Sequence, residues 1–352
     1  MREKIEYFAG ANSKNGYTSY FHRIVGNKYK KVYILKGSAG CGKSTFMKRV
    51  GEKALRKGLY VEYIRCSADS RSVDGILIPD MGFAIIDGTA PHIMNVKYPS
   101  ARENIINLGE FWDEKKLRSS RDTLISLTDR KLFCYDNIYR ALSAAGSIRD
   151  IRAAQINKTV QTDKLSAFAN RICSKLILPS SGEERVRIQT AYNQNGFDSL
   201  PTFSSAKNIY LIRDKYDIAC LLLGLIRSYA ERIGAERVVS YDPIDLTKPE
   251  AVYFPSGDIL FVPENRFVVA DNRITDNKPI NTARFIDKKA FSEIRQKDRA
   301  LFKLYNALLD TAKQYFTEAA DIHDSIERIY IRAMNFEKLT DFTNKFIRDL
   351  FG

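Results

Sequence analysis

The sequence predicts an α/β protein of two tandem lobes, residues 1–180 and 181–352, each a parallel β-sheet with a helical extension. Three observations support this fold class. Strand-like apolar runs alternate with helical segments, a set of segments recurs in the second half, and a long helical stretch closes each half. Because strands that alternate with helices are typical of βαβ units, we expect the strands of each sheet to run parallel.

The repeat consists of four segment pairs in the same order in both halves. They are Phe8–Ser19 with Ile188–Ser199, Lys31–Lys36 with Asn208–Arg213, Tyr60–Ile64 with Glu236–Ser240, and Gly82–Ile86 with Asp258–Val262. Two unrelated domains of similar strand composition are the alternative, because short apolar runs resemble one another. The preserved order favours an internal duplication. The turn-forming cluster Pro179–Glu184 marks the boundary.

The helical extensions are predicted over residues 100–176 and 285–351. Both stretches contain few prolines and glycines, and apolar residues such as Leu132, Ile138 and Leu142 recur at three-to-four spacing.

Residues 37–45 match the phosphate-loop pattern G-x-x-x-x-G-K-[ST]. The loop follows the apolar run Val32–Leu35, precedes a helical pattern, and Gly58 is a plausible end of that helix. Glycines let backbone N–H groups turn towards a phosphate, and the helix start adds partial positive charge. A glycine-rich turn with a chance Lys-Ser is the alternative. The predicted nucleotide-binding residues are Gly37, Ser38, Ala39, Gly40, Cys41, Gly42, Lys43, Ser44 and Thr45.

Lys43 is expected to contact the β- and γ-phosphates of ATP, and the Ser44 hydroxyl to bind Mg²⁺. Asp87, at the end of the apolar run Phe83–Asp87, is expected to hold the same Mg²⁺. Gly88 follows where many ATP-driven motors carry glutamate, which favours a kinase-like protein or slow hydrolysis.

Three further residues are candidates for catalysis. Asp69 and Asp74 are predicted beyond a strand end, where either could orient a water or accept a proton; local turn hydrogen bonds are the alternative. His92 follows Asp87 closely and is a candidate γ-phosphate sensor or proton carrier, with a loop histidine bonded to backbone as the alternative.

The second half lacks this machinery. Residues 214–220, Asp-Lys-Tyr-Asp-Ile-Ala-Cys, stand where the loop is expected, without glycine or the lysine and with two carboxylates. Pro263 and Glu264 replace Asp87 and Gly88. We therefore expect a P-loop-like lobe that does not bind nucleotide and serves a scaffolding, regulatory or partner-binding role.

Composition limits the partners and the compartment. A net charge of +14 favours a polyanionic partner such as nucleic acid, although a solvated basic surface is the alternative. No apolar run reaches the ~18 residues of a membrane span, and the first residues lack a signal-peptide core. Five cysteines without a C-x-x-C pair indicate a cytoplasmic protein with reduced thiols. The sequence leaves open whether the chain forms a homo-oligomer.

Several motifs resemble a bacterial family of duplicated P-loop ATPases. They are the pattern Cys-Ser-x-Asp-x-x-Ser-x-Asp-Gly over residues 66–75, Ile78-Pro79, the string Asp-Gly-Thr-Ala-Pro-His over 87–92, Ile-Ile-Asn-Leu-Gly over 105–109, and Trp112-Asp113. The resemblance covers nearly the whole chain. It implies ATP and Mg²⁺ at residues 37–45 and Asp87, and draws attention to Asp69, Asp74 and His92. Family members usually carry a second phosphate loop, and this chain departs from that pattern at residues 214–220.

The leading hypothesis is a Mg²⁺-dependent ATP-binding protein, an ATPase, with one active site in the first lobe. A small-molecule or nucleotide kinase is the second, with residues 100–176 as lid and Arg118 or Arg121 supplying charge. A nucleotide-gated module that binds nucleic acid or protein is the third.

Overall fold

The computed structural model describes residues 4–90, 96–268 and 279–352. The chain divides into two compact units, and each is built from separate stretches of sequence. Unit 1 contains Met1–Gly10, Ser19–Ile138 and Lys313–Gly352, and unit 2 contains Ala11–Thr18 and Tyr139–Ala312.

The described strands fall into two series of eight. The first is β1 (Lys4–Phe8), β2 (Gly10–Ser13), β3 (Gly16–Ser19), β4 (Lys31–Lys36), β5 (Val61–Arg65), β6 (Val73–Ile78), β7 (Phe83–Asp87) and β8 (Glu103–Asn107). The second is β9 (Glu184–Val186), β10 (Thr190–Asn193), β11 (Gly196–Ser199), β12 (Asn208–Arg213), β13 (Arg237–Tyr241), β14 (Pro249–Phe254), β15 (Ile259–Pro263) and β16 (Ile280–Asn281).

The described helices are α1 (Phe21–Val25), α2 (Lys43–Arg56), α3 (Glu114–Ser119), α4 (Arg121–Asn157), α5 (Thr162–Leu176), α6 (Ala219–Arg232), α7 (Lys288–Ala333) and α8 (Phe336–Phe351). Within the described part of the chain, none of them is long and apolar enough to cross a membrane.

The sheet of unit 1 has the order β1-β5-β6-β7-β4-β8, and β6 runs antiparallel to both of its neighbours. The α/β class is confirmed, but the prediction of all-parallel strands is wrong. Only a short loop separates Arg65 from Val73, whereas a parallel neighbour needs a crossover of about a dozen residues or more. The chain therefore returns directly and forms an antiparallel strand.

The sheet of unit 2 repeats this arrangement. Its order is β9-β13-β14-β15-β12-β16, the same succession of counterparts, and β14 is again the antiparallel strand. The short hairpins β2-β3 and β10-β11 match as well. Gly82 and Asp258, at equivalent turns, both have left-handed backbone with φ of 59° and 50°. The agreement supports the predicted internal duplication.

Both faces of the unit 1 sheet are buried, which explains its nearly continuous apolar strands. One face packs against α2 and α8, where the Phe46 ring lies 5.1 Å from the Phe346 ring. The other face packs against α1 through Phe21 and Val25. Helix α8 thus covers a sheet formed roughly 300 residues earlier in the chain.

The unit 2 sheet is covered in the corresponding way by α5 and α6. Leu165, Ala169 and Cys173 of α5 join the same buried cluster as Leu222 and Ile226 of α6. The helix that follows the first sheet in sequence therefore packs on the second, and the last helix packs on the first. The two halves have exchanged their helical extensions.

The predicted extensions are mostly helical, but the first of them begins with a strand. Residues 103–107 form β8, which pairs with β4 at the sheet edge. Within α4, Ile138 and Leu142 are buried, but Leu132 is 57% exposed.

Candidate functional site

The phosphate-loop pattern forms a strand–loop–helix turn between β4 and α2. Gly37, Gly40 and Gly42 all have positive φ, at 153°, 71° and 86°. Residues with a Cβ rarely adopt these values, so the loop backbone depends on glycine. The first N–H groups of α2 lack acceptors within the helix, and they give this end of α2 a partial positive charge.

The loop glycines also make close contacts that leave no room for a side chain. A Cβ at Gly40 would lie 2.9 Å from the backbone oxygen of Glu327 in α7. A Cβ at Gly42 would lie 2.7 Å from the Leu339 side chain in α8. The last two helices therefore support the loop from outside.

Lys43 points back into the loop. Its ammonium group donates to the carbonyl oxygens of Gly37 and Ser38, at 2.8 Å each, and lies 3.6 Å from the Asp87 carboxylate. The Cys41 thiol is buried beneath Gly37, and burial raises its pKa. Cys41 fills space inside the loop, and Thr45 is exposed on the first turn of α2.

Asp87 and Asp74 lie side by side at the end of the sheet. Gly75 pairs with Ile86 across the antiparallel strands, so the next position places Asp74 opposite Asp87 on the same face. Both residues are buried. Burial raises the pKa of Asp87, while the charge of Lys43 opposes the shift. Asp87 also accepts hydrogen bonds from the Thr89 backbone at 2.8 Å and hydroxyl at 2.6 Å.

Ser44 completes this group of oxygen atoms. Its hydroxyl accepts a hydrogen bond of 3.0 Å from the backbone N–H of Val73, the residue before Asp74. Oxygen ligands of this kind suit Mg²⁺, which takes one or two carboxylates together with phosphate oxygens. Among the described residues, no group of three or more His, Cys, Asp or Glu side chains could hold a metal ion alone. A Mg²⁺ here would need phosphate oxygens as further ligands.

The other sequence candidates lie apart from this group or outside the described residues. Asp69 accepts hydrogen bonds from the backbone and the side chain of Arg71, which is the turn chemistry given above as the alternative. Arg118 and Arg121 pair with the exposed carboxylates of Glu114 and Asp122. His92 lies outside the described residues.

We compared the chain with protein-family models, curated proteins and solved structures. No significant match was found.

Two residues that the sequence did not single out lie beside the loop. Lys131 of α4 lies 3.4 Å from Nδ1 of His323 in α7. Burial lowers the pKa of Lys131, and the charge of Lys43 adds a smaller effect in the same direction. Burial and the charge of Lys131 lower the pKa of His323. Neither residue belongs to a sequence motif, because long-range helix packing brings both of them here.

In the second lobe, a carboxylate of the chain binds the N–H groups at the start of α6, the helix that corresponds to α2. Asp214 accepts backbone hydrogen bonds from Tyr216, Ile218 and Ala219 at 3.3, 3.2 and 2.7 Å. The Thr282 hydroxyl donates a fourth bond of 3.0 Å. The start of α6 thus binds an anion supplied by the chain itself.

Proposed function

We propose that the chain is a Mg²⁺-dependent ATP-binding protein whose first lobe binds and hydrolyses ATP at residues 37–45. The observation that carries the proposal is the loop geometry. Three glycines with positive φ, the start of α2 and the nearly buried ammonium of Lys43 form a cradle for an anion.

Each residue of the site then has a defined role. Lys43 would exchange the Gly37 and Ser38 carbonyl oxygens for phosphate oxygens, and Ser44 and Asp87 would hold Mg²⁺. The metal ion would neutralise charge that develops on the phosphates. Asp74, beside Asp87, is the nearest further carboxylate in the group and is proposed to orient a water bound there.

The proposal is tested by titration calorimetry with ATP in the presence and absence of Mg²⁺. Lys43→Ala is expected to weaken binding at least tenfold, because hydrogen bonds to charged groups contribute roughly 1.5–3 kcal/mol. Lys215→Ala is the matched control, since it removes an exposed lysine from the corresponding loop of the second lobe. Absence of binding by the wild-type chain, or equal losses in the two variants, would refute the assignment.

Hydrolysis is measured separately, as phosphate release under saturating ATP. Adding candidate acceptors to the same assay distinguishes a kinase, which consumes ATP faster when its acceptor is present.

A further inference from the structure

The two lobes have the same arrangement of strands and helices but carry different charges at equivalent positions. The ends of α4 and α7 establish the correspondence. The Asp287 N–H donates to the Thr159 oxygen at 2.8 Å, and the Asp113 N–H donates to the Ala333 oxygen at 2.7 Å. These two bonds are equivalent. The part of α4 that lies in unit 2, residues 139–157, therefore corresponds to the part of α7 that lies in unit 1, residues 313–333. Arg149 then corresponds to His323.

In unit 2, carboxylates of the chain neutralise this helix cation. Arg149 lies 3.0 Å from Asp217 in the loop before α6 and 2.7 Å from Asp242 at the end of the neighbouring strand. Asp217 has a φ of 58°, close to the 71° of its counterpart Gly40. Unit 2 therefore keeps the left-handed backbone at this one position and places an acidic side chain there.

In unit 1 the same positions carry no acidic group. Gly40 stands where Asp217 is found, and Cys66 stands where Asp242 is found. Lys131 supplies a cation here, and its hydrogen-bond partner His323 occupies the Arg149 position. Within the described residues, the Lys131 ammonium has His323 as its hydrogen-bond partner and no carboxylate within ion-pair distance.

Helix packing places this pair at the phosphate loop. Glu327 contacts Gly40 through its backbone oxygen, and His323 lies one turn earlier on the same face of α7. Lys131 and His323 also lie near Lys43, whose charge lowers the pKa of both, and Lys43 is the residue proposed above to contact the phosphates.

We propose that Lys131 and His323 bind the γ-phosphate and give the site its preference for a nucleoside triphosphate over a diphosphate. This inference rests on the proposed nucleotide site. The ligand supplies in unit 1 the negative charge that Asp217 and Asp242 supply in unit 2. Lys131 and His323 reach the site from α4 and α7, so they add contacts that the phosphate loop alone does not provide.

The test measures dissociation constants for Mg·ATP and Mg·ADP in the wild-type chain and in Lys131→Gln and His323→Asn. Each variant is expected to weaken ATP binding about tenfold and ADP binding less than twofold. Arg130→Gln is the control, since it removes a neighbouring α4 cation that lies 3.8 Å from Glu318 and is 61% exposed. It corrects for a general change in net charge. His323→Arg, which copies the residue of unit 2, is expected to keep the preference.

The outcomes separate the two proposals. Equal losses for ATP and ADP, or an unchanged ratio in variants with wild-type thermal stability, overturn the role of Lys131 and His323 and leave the nucleotide site in place. Absence of any nucleotide binding by the wild-type chain overturns both. Both proposals are supported if Lys43→Ala loses binding of both ATP and ADP while Lys131→Gln loses only the preference for ATP over ADP.

Discussion

Asp214→Ala removes the carboxylate that fills the loop of the second lobe. It deletes four hydrogen bonds, of which the bond from Ala219, at 2.7 Å, is the shortest. Loss of a helix-capping carboxylate costs about 1–2 kcal/mol, and the Thr282 hydroxyl loses a bond worth about 1 kcal/mol. Burial of the carboxylate, which raises the pKa of Asp214, is itself unfavourable and offsets part of the stability that these hydrogen bonds provide. We expect a decrease of about 2 kcal/mol in the free energy of unfolding.

The variant should then accept an external anion. In urea unfolding, inorganic phosphate at ten times its dissociation constant would restore about 1.4 kcal/mol to Asp214→Ala. Any phosphate bound at the proposed site of the first lobe would stabilise wild type and variant alike, so the difference between them isolates binding in the second lobe. The control is Asp287→Ala, which removes the cap of α7 at an exposed turn. Equal stabilisation of all three proteins by phosphate would refute an anion site at Asp214.

Two further predictions concern stability. Leu339→Ala and Leu165→Ala truncate corresponding residues of α8 and α5, 6% and 3% exposed, and each should lower the free energy of unfolding by about 2–5 kcal/mol in chemical denaturation. A loss below 1 kcal/mol for Leu339 would contradict the packing of α8 on unit 1. Burial raises the pKa of Glu250 to about 7, although the charge of Arg266 opposes the shift. The protonated side chain therefore stabilises the fold fully below pH 4.5, and this contribution is lost as the pH rises to 7. Stability measured across this range should fall by roughly 3 kcal/mol more in wild type than in Glu250→Gln, and parallel pH profiles would refute the raised pKa.

The sequence predicted those features whose signals are local. The strand before the phosphate loop, helix α2 and its end at Gly58 follow from apolar patterning and glycine placement, and the structure has them where expected. Segment order showed the repeat, which the matching strand orders support. The position of Asp87 at a strand end also follows from the apolar run before it, and the structure adds that its carboxylate lies 3.6 Å from the Lys43 ammonium.

Features that depend on distant contacts were not accessible in this way. Strand β6 is not apparent in the sequence, because its approach is rich in Ser and Asp, although its six residues are buried. The exchange of helical extensions leaves no periodic signal, since the apolar face of α8 would suit either sheet. Lys131 and His323 lie 192 positions apart, and no spacing rule connects them.

The position of α8 has a consequence for biosynthesis. Its side chains close the core beneath the phosphate loop, yet they are the last of this unit to be synthesised. The part of the first sheet's apolar face that α8 covers therefore stays exposed until translation has passed residue 351, although α2 is already present on the same face. A chain cut short before Phe336 would contain every residue of the G-x-x-x-x-G-K-[ST] pattern and still lack a finished lobe.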